Sequence, residues 1–117
     1  MKIMIVDDNS DMRKMLRSII TEGKEEMIDI LECSDGSEGV EQYSQFHPDV
    51  VLMDIQLKTM NGFMAAEKIY QQEPTAKIYF ITSHNTKIFR DQAKKLNAQG
   101  FITKDNLSEL QALIKTI

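Results

Sequence analysis

Short apolar segments alternate with longer amphipathic segments along the whole chain. The apolar segments are rich in Ile, Val, Met or Phe, and each is followed by a stretch long enough for a helix. Alternation of this kind predicts a series of five βα units. The predicted strands cover residues 3–6, 27–33, 50–53, 78–81 and 101–103.

The first and last helices carry the clearest sequence signals. Apolar residues of the first helix recur at i, i+3, i+4, i+7 and i+8, which indicates one buried face, and Ser10 is its predicted N-cap. In the last helix Asn106 and Glu109, three residues apart, predict a capping box. The apolar stripe of the first helix consists of Met12, Met15, Leu16, Ile19 and Ile20. The remaining helices are predicted over residues 37–46, 63–72 and 86–96.

The strand-helix alternation predicts an α/β fold, a parallel sheet covered by helices on both faces and joined by right-handed crossovers. The first, third and fourth strands are apolar throughout, as strands buried on both faces should be. The second strand carries Asp29 and Glu32 and the fifth is short, so these two belong at the edges. The predicted fold is therefore a doubly wound (βα)5 sheet with the flavodoxin-like strand order 2-1-3-4-5.

Length and composition narrow the class of protein. A chain of 117 residues predicts a single domain over residues 1–117. One cysteine, Cys33, and two histidines cannot supply a four-ligand zinc site, and no apolar run approaches the length of a membrane span. A net charge of −4 disfavours binding of nucleic acid by this domain. With no secretion signal recognised, we expect a cytoplasmic protein without membrane partners.

Polar residues that follow the predicted strands define a candidate site. Asp7 and Asp8 follow the first strand and Asp54 follows the third, and the winding direction of the sheet reverses between these two strands. A single aspartate at a strand end is usually a turn or cap residue, but three together repel one another unless a cation neutralises them. An all-oxygen cluster suits Mg²⁺. Thr82 and Lys104 end the fourth and fifth strands at the same edge, so the sequence predicts a magnesium site with room for a phosphate group.

The motifs at these strand ends resemble those of a two-component response-regulator receiver domain, CheY-like in type. The resemblance covers essentially the whole chain, and its specificity comes from five short motifs in the right order. These motifs are Ile5-Val6-Asp7-Asp8-Asn9, Val50-Val51-Leu52-Met53-Asp54, Asn61-Gly62, Ile81-Thr82-Ser83 and Gly100-Phe101-Ile102-Thr103-Lys104.

The resemblance implies a phosphoacceptor site that depends on a metal ion. Asp54 would accept a phosphoryl group from a phosphohistidine on a sensor histidine kinase or a phosphotransfer protein. Asp8 would bind Mg²⁺ directly, Asp7 would help to hold the ion and its waters, and Gln56 would offer its backbone carbonyl. A receiver of this kind catalyses only its own phosphorylation and dephosphorylation.

The resemblance also implies a switch between the site and a distant surface. Thr82 and Lys104 would contact the phosphoryl oxygens, and Phe101 would change its rotamer on activation. The altered surface of the fourth helix, fifth strand and fifth helix would be read by a downstream output protein or domain. A phosphorylation-dependent dimer stays open as a further form of output.

Four positions qualify the resemblance. Lys58 and Asp105 stand where many receivers carry proline, and the Lys104-Asp105 pair resembles the NarL-type subgroup, whose members usually add a helix-turn-helix. The chain is then a candidate receiver part of a transcriptional regulator. Gln56 and His84 occupy the positions that tune hydrolysis of the acyl phosphate in this family.

Two other functions fit the same fold. A flavodoxin-like electron carrier needs a phosphate-binding loop rich in Ser, Thr and Gly after the first strand, whereas the acidic residues 7–11 would repel the phosphate. A phosphatase acting on outside substrates through an aspartyl phosphate needs a cap or a substrate pocket, which the short connections do not provide. Both are less favoured than a phosphorylation switch.

Overall fold

The computed structural model describes residues 1–22 and 27–117. Strands and helices alternate throughout these residues, as the apolar pattern predicts. In chain order the elements are β1 (Lys2–Val6), α1 (Ser10–Thr21), β2 (Asp29–Cys33), α2 (Gly36–Phe46), β3 (Val50–Met53), α3 (Gly62–Gln72), β4 (Ile78–Thr82), α4 (Lys87–Lys95), β5 (Gly100–Thr103) and α5 (Ser108–Thr116).

The strands form one parallel sheet in the order β2-β1-β3-β4-β5, which confirms the predicted α/β fold and strand order. Val6, the last residue of β1, pairs with Cys33 on one side and with Met53 on the other. On the opposite side of the sheet Thr82, the last residue of β4, pairs with Thr103, the last residue of β5. The carboxyl ends of the strands therefore lie along one edge, where the polar residues that follow them can meet.

The core lies in two layers, one on each face of the sheet, because successive side chains of a strand point to opposite faces. One layer packs α2, α3 and α4 against Met4, Val6, Val51, Met53 and Phe80. The other packs α1 and α5 against Ile3, Ile5, Val50, Leu52 and Ile81. No helix among the described residues is long and apolar enough to cross a bilayer.

The second strand starts later than predicted. It begins at Asp29, and Met27, at the predicted start, is 88% exposed. Asp29 pairs with Lys2, the first residue of β1, and its backbone N–H donates to Met1 O at 3.0 Å, so the pairing with β1 begins at Asp29. The other strand and helix predictions agree with the structure to within one residue at each end.

The predicted cap of α1 is wrong by one residue. Ser10 is the first helical residue, and the N-cap is Asn9, whose side-chain oxygen accepts a hydrogen bond from the Met12 backbone N–H at 3.0 Å. Both residue types can cap a helix, so the spacing of apolar residues does not decide between them. The buried face of α1 is also narrower than predicted, since Met15 is half exposed.

The predicted capping box of α5 is also wrong. The residue before the helix is Leu107, which makes no side-chain cap. Asn106 donates from Nδ2 to Glu109 Oε1 at 2.8 Å, and its Oδ1 accepts from the Ser108 hydroxyl at 2.8 Å. The Asn106 oxygen that would cap the helix is therefore engaged by a neighbouring side chain.

Candidate functional site

Three carboxylates meet where the sheet reverses its winding. The Asp7 N–H donates to Cys33 O and the Asp54 N–H donates to Val6 O, so the ladder of the sheet extends one residue beyond β1 and β3. Carboxylate oxygens of Asp7, Asp8 and Asp54 lie within 4.8 Å of one another. Asp7 and Asp54 are buried and Asp8 is exposed. The predicted cluster therefore combines two inner carboxylates with one that faces solvent.

Lys104 joins the two buried carboxylates. Its ammonium nitrogen lies 3.0 Å from Asp7 Oδ2 and 3.1 Å from Asp54 Oδ2. The backbone of Lys104 is held in place because its backbone N–H donates to the backbone carbonyl of Thr82, which continues the pairing of β5 with β4. Its side chain is 15% exposed, so water screens these ion pairs only in part.

Charge at this site is not balanced by protein groups. Burial raises the pKa of Asp54, the negative charge of Asp7 raises it further, and Lys104 opposes both effects without cancelling them. For Lys104 burial acts to lower the pKa, but the hydrogen bonds and charges of Asp7 and Asp54 outweigh burial and raise it. Three carboxylates against one ammonium leave two negative charges in the cluster as described. The site therefore favours an additional cation.

The oxygen atoms fit a hard divalent ion. One oxygen of each buried carboxylate is engaged by backbone: Asp7 Oδ1 accepts from the Asn9 N–H at 2.9 Å, and Asp54 Oδ1 from the Ile55 N–H at 2.8 Å. These bonds fix both carboxylates. The other oxygen of each, Oδ2, faces the Lys104 ammonium, at 3.0 Å from Asp7 and 3.1 Å from Asp54. Carboxylate oxygens held in fixed positions are the kind of ligand that Mg²⁺ takes in proteins, and a carboxylate oxygen can accept from a donor and bind an ion at the same time.

The other residues of the predicted metal and tuning sites lie on exposed connections. Gln56 follows Asp54 by two residues and is exposed. His84 is exposed, and its Nδ1 lies 3.2 Å from the hydroxyl of Ser83. The roles of Gln56 as a metal ligand and of His84 in tuning stay predictions.

The two predicted switch residues stand on neighbouring strands. Thr82 is fully buried at the end of β4, and its hydroxyl oxygen accepts from the His84 N–H at 3.1 Å, which leaves the hydroxyl hydrogen available to donate. Phe101 on β5 is half buried against the α2–α4 layer of the core. It borders a cavity of about 170 Å³ between α4 and β5, lined also by Arg90, Ala93, Lys94, Ala98 and Gly100.

Sequence reasoning missed one residue that touches the site. Arg13 on α1 donates from Nη1 to the backbone carbonyl of Asp7 at 2.7 Å. In the sequence Arg13 reads as one of several basic residues on the solvent face of an amphipathic helix. The sequence does contain a signal for this contact. Arg13 and Arg17 are four residues apart, which puts two guanidinium groups on one side of α1, and Glu32 in the edge strand is an acidic partner for them.

Comparison with known proteins decides the family. The family model for the response regulator receiver domain matches residues 3–115. This chain belongs to the response regulator receiver family. It is 38% identical to the chemotaxis protein CheY of Thermotoga maritima over 103 aligned residues, and this alignment covers 88% of this chain and 84% of that protein. The receiver is accordingly a phosphorylation-activated signalling switch of the CheY type, and such receivers are signalling domains, not classical enzymes.

Solved structures show the same fold. The response regulator domain of Thermotoga maritima CheB is 27% identical with a TM-score of 0.87, covering 99% of this chain and 94% of that one. A chain of the CheX–CheY–BeF3–Mg²⁺ complex from Borrelia burgdorferi is 25% identical with a TM-score of 0.83, and the match covers 98% of this chain and 87% of that one. Receivers of this family bind Mg²⁺ at an acidic pocket, and the Asp7, Asp8 and Asp54 group is compatible with such an ion.

Proposed function

We propose that Asp54 accepts a phosphoryl group from a phosphohistidine of a sensor histidine kinase or a phosphotransfer protein, with Mg²⁺ held by Asp7, Asp8, Asp54 and the carbonyl of Gln56. One observation carries the proposal: Lys104 forms ion pairs with both buried carboxylates at the switch point of the sheet. The likeness to a chain of the CheX–CheY–BeF3–Mg²⁺ complex supports it. A cytoplasmic location is part of the same proposal.

The reaction uses Asp54 as a nucleophile. Its carboxylate oxygen forms a bond to phosphorus in line with the bond from phosphorus to the donor's imidazole nitrogen, which breaks as that nitrogen leaves with the electron pair. Asp54 Oδ1 is held by the backbone N–H of Ile55 and Oδ2 by the ammonium of Lys104, and Oδ2 becomes the attacking atom as Lys104 turns to the phosphoryl group. When bound, Mg²⁺ supplies positive charge that neutralises the phosphoryl oxygens. Lys104, already 3.1 Å from Asp54 Oδ2, donates to another of these oxygens.

The signal then passes through Thr82 and Phe101. A phosphoryl group on Asp54 offers a new acceptor to the buried hydroxyl of Thr82, and movement of Thr82 toward it vacates volume that the ring of Phe101 turns to fill. The cavity beside Phe101 gives the ring room to move relative to α4. The changed surface of α4, β5 and α5 is read by an output protein or domain, or by a second receiver in a phosphorylation-dependent dimer.

Intact-mass spectrometry with acetyl phosphate tests the acceptor. With Mg²⁺ the mass rises by one phosphoryl group, and Asp54→Asn abolishes the gain while Asp105→Asn, which removes an exposed carboxylate beside Lys104, keeps it. A chelator stops the reaction, and Asp8→Ala raises the magnesium concentration required. A phosphoryl group mapped to His84, or a magnesium requirement unchanged in Asp8→Ala, contradicts the proposal.

A further inference from the structure

Arg13 connects the edge strand of the sheet to the acidic cluster. Its Nη1 donates to the carbonyl of Asp7 at 2.7 Å, and its Nε donates to Glu32 Oε1 at 3.1 Å. The same Glu32 carboxylate accepts from Arg17 through Oε2 at 2.8 Å. Glu32 therefore lies between two arginines of α1, of which only Arg13 reaches the site.

The register of the sheet places Glu32 on the face that is covered by α1, within reach of both arginines. Glu32 pairs with Ile5 of β1, and paired residues of neighbouring strands point to the same face. Ile5 packs in the layer formed by α1 and α5, so Glu32 faces α1. Burial acts to raise the pKa of Glu32, but its hydrogen bonds and charge interactions with Arg17 and Arg13 outweigh burial and lower it. The carboxylate is thus held ionised beside both arginines.

The carbonyl that Arg13 holds belongs to the peptide joining Asp7 to Asp8. The Asp7 side chain is fixed independently by the Asn9 N–H, but no described residue holds the exposed carboxylate of Asp8. The direction in which the side chain of Asp8 projects from the backbone depends on the orientation of this peptide. Arg13 fixes that orientation from the carbonyl side, and Glu32 fixes Arg13.

We infer that Glu32 is a positioning residue for the metal site: through Arg13 it orients the Asp7–Asp8 peptide, and so presents Asp8 to a divalent cation. Glu32 also neutralises the guanidinium, which would otherwise be free to swing to the carboxylates and compete with the cation. The inference rests on the proposed magnesium site and adds to it a residue on the edge strand that touches neither the ion nor Asp54.

The test measures Mg²⁺ affinity without any phosphodonor, from the backbone amide NMR shifts of Asp8 and Asn9 in a magnesium titration. Glu32→Gln raises the dissociation constant by about threefold to tenfold. This is less than the roughly tenfold to hundredfold effect of outer partners that hold a ligand atom, because Glu32 acts through the backbone. Arg17→Gln is the matched control, since it removes the other contact of Glu32 and leaves Arg13 in place; its dissociation constant equals that of the parent.

A double-mutant cycle shows whether Glu32 acts through Arg13. In the Arg13→Gln background the further change Glu32→Gln leaves the magnesium affinity unaltered, whereas a simple loss of negative charge would weaken it again. The Nε–H signal of Arg13 serves as a second readout: it exchanges slowly in the parent and in Arg17→Gln, and it is lost in Glu32→Gln.

Failures of the two proposals are distinguishable. If the parent shows no magnesium-dependent shifts at Asp8 and Asn9, the proposed metal site is wrong. If the parent binds Mg²⁺ and Glu32→Gln binds it equally well, or if Arg17→Gln is weakened as much as Glu32→Gln, the positioning role is overturned. Urea unfolding of each variant shows that the folded fraction in the titration is that of the parent.

Discussion

Replacing Asp54 with Asn should make the metal-free protein more stable. The carboxylate is 7% exposed and faces the buried Asp7, and burial and that charge raise its pKa. Asn has nearly the same shape, carries no charge and can still accept the hydrogen bond from the Ile55 N–H. Lys104 keeps its ion pair with Asp7 in the variant. The substitution therefore removes an unfavourable charge without opening a cavity.

The size of the effect follows from three terms. The ion pair of Asp54 with Lys104 at 3.1 Å gives about 5 kcal/mol of attraction at an effective dielectric constant of about 20. Repulsion from Asp7, at a separation of no more than 4.8 Å, offsets at least about 3.5 kcal/mol of that attraction. The remaining attraction is smaller than the several kcal/mol that burial of a carboxylate costs. We expect Asp54→Asn to raise the free energy of unfolding by about 1–2 kcal/mol at neutral pH.

The sign of the pH dependence follows from the raised pKa. The folded protein holds the Asp54 proton more tightly than the unfolded chain does, so this group makes stability fall as pH rises from the ordinary value of 3.8 through the raised pKa. The difference in the free energy of unfolding between Asp54→Asn and the parent therefore reaches its full value above the raised pKa of Asp54, and it shrinks as the pH falls below that pKa. Carboxylates distant from the site titrate alike in both proteins and cancel in this difference.

Urea unfolding followed by circular dichroism, in the presence of a chelator, measures both effects. Asp105→Asn is the control for loss of one negative charge near Lys104, and it should leave stability nearly unchanged. Saturating Mg²⁺ should reverse the order, because an ion that binds the folded state stabilises the parent more than a variant lacking one ligand. Equal or lower stability of metal-free Asp54→Asn at neutral pH would refute the reasoning.

Three further predictions concern other parts of the molecule. Thr82→Ala should still accept phosphate, but the NMR shift changes of α4, β5 and α5 should largely disappear; a full response in that variant would contradict the switch. Gly62→Ala should slow labelling by acetyl phosphate and lower the Tm, because an added Cβ would overlap the carbonyl oxygen of Asp54; unchanged labelling would show that the loop adapts. His47→Gly should stabilise the protein by about 0.5–1 kcal/mol in urea unfolding, because His47 ends α2 with a φ of 51° that favours glycine; a loss of stability would show that the side chain contributes more than the strain costs.

The sheet could be predicted because its signals are local and redundant. The central strands are apolar on both faces, which distinguishes them from the edge strands and so determines the strand order. Once that order is known, Asp7, Asp54 and Lys104 must lie at one edge, since each directly follows a strand. Helix ends were harder to predict, because Asn9 and Ser10 are both good caps and only the backbone angles decide between them.

Contacts between a helix and an edge strand depend on information that the apolar pattern does not contain. Whether Glu32 faces α1 or solvent depends on the pairing of β2 with β1, and a slip of one residue would turn it to the other face of the sheet. An edge strand with mixed burial specifies its register only weakly through its own apolar residues. In this protein the ion pairs from Glu32 to Arg13 and Arg17 favour the observed register. Arg13, which favours this register through its ion pair with Glu32, also donates to the backbone carbonyl of Asp7. Correct pairing of β2 with β1 therefore supports the geometry of the acidic cluster.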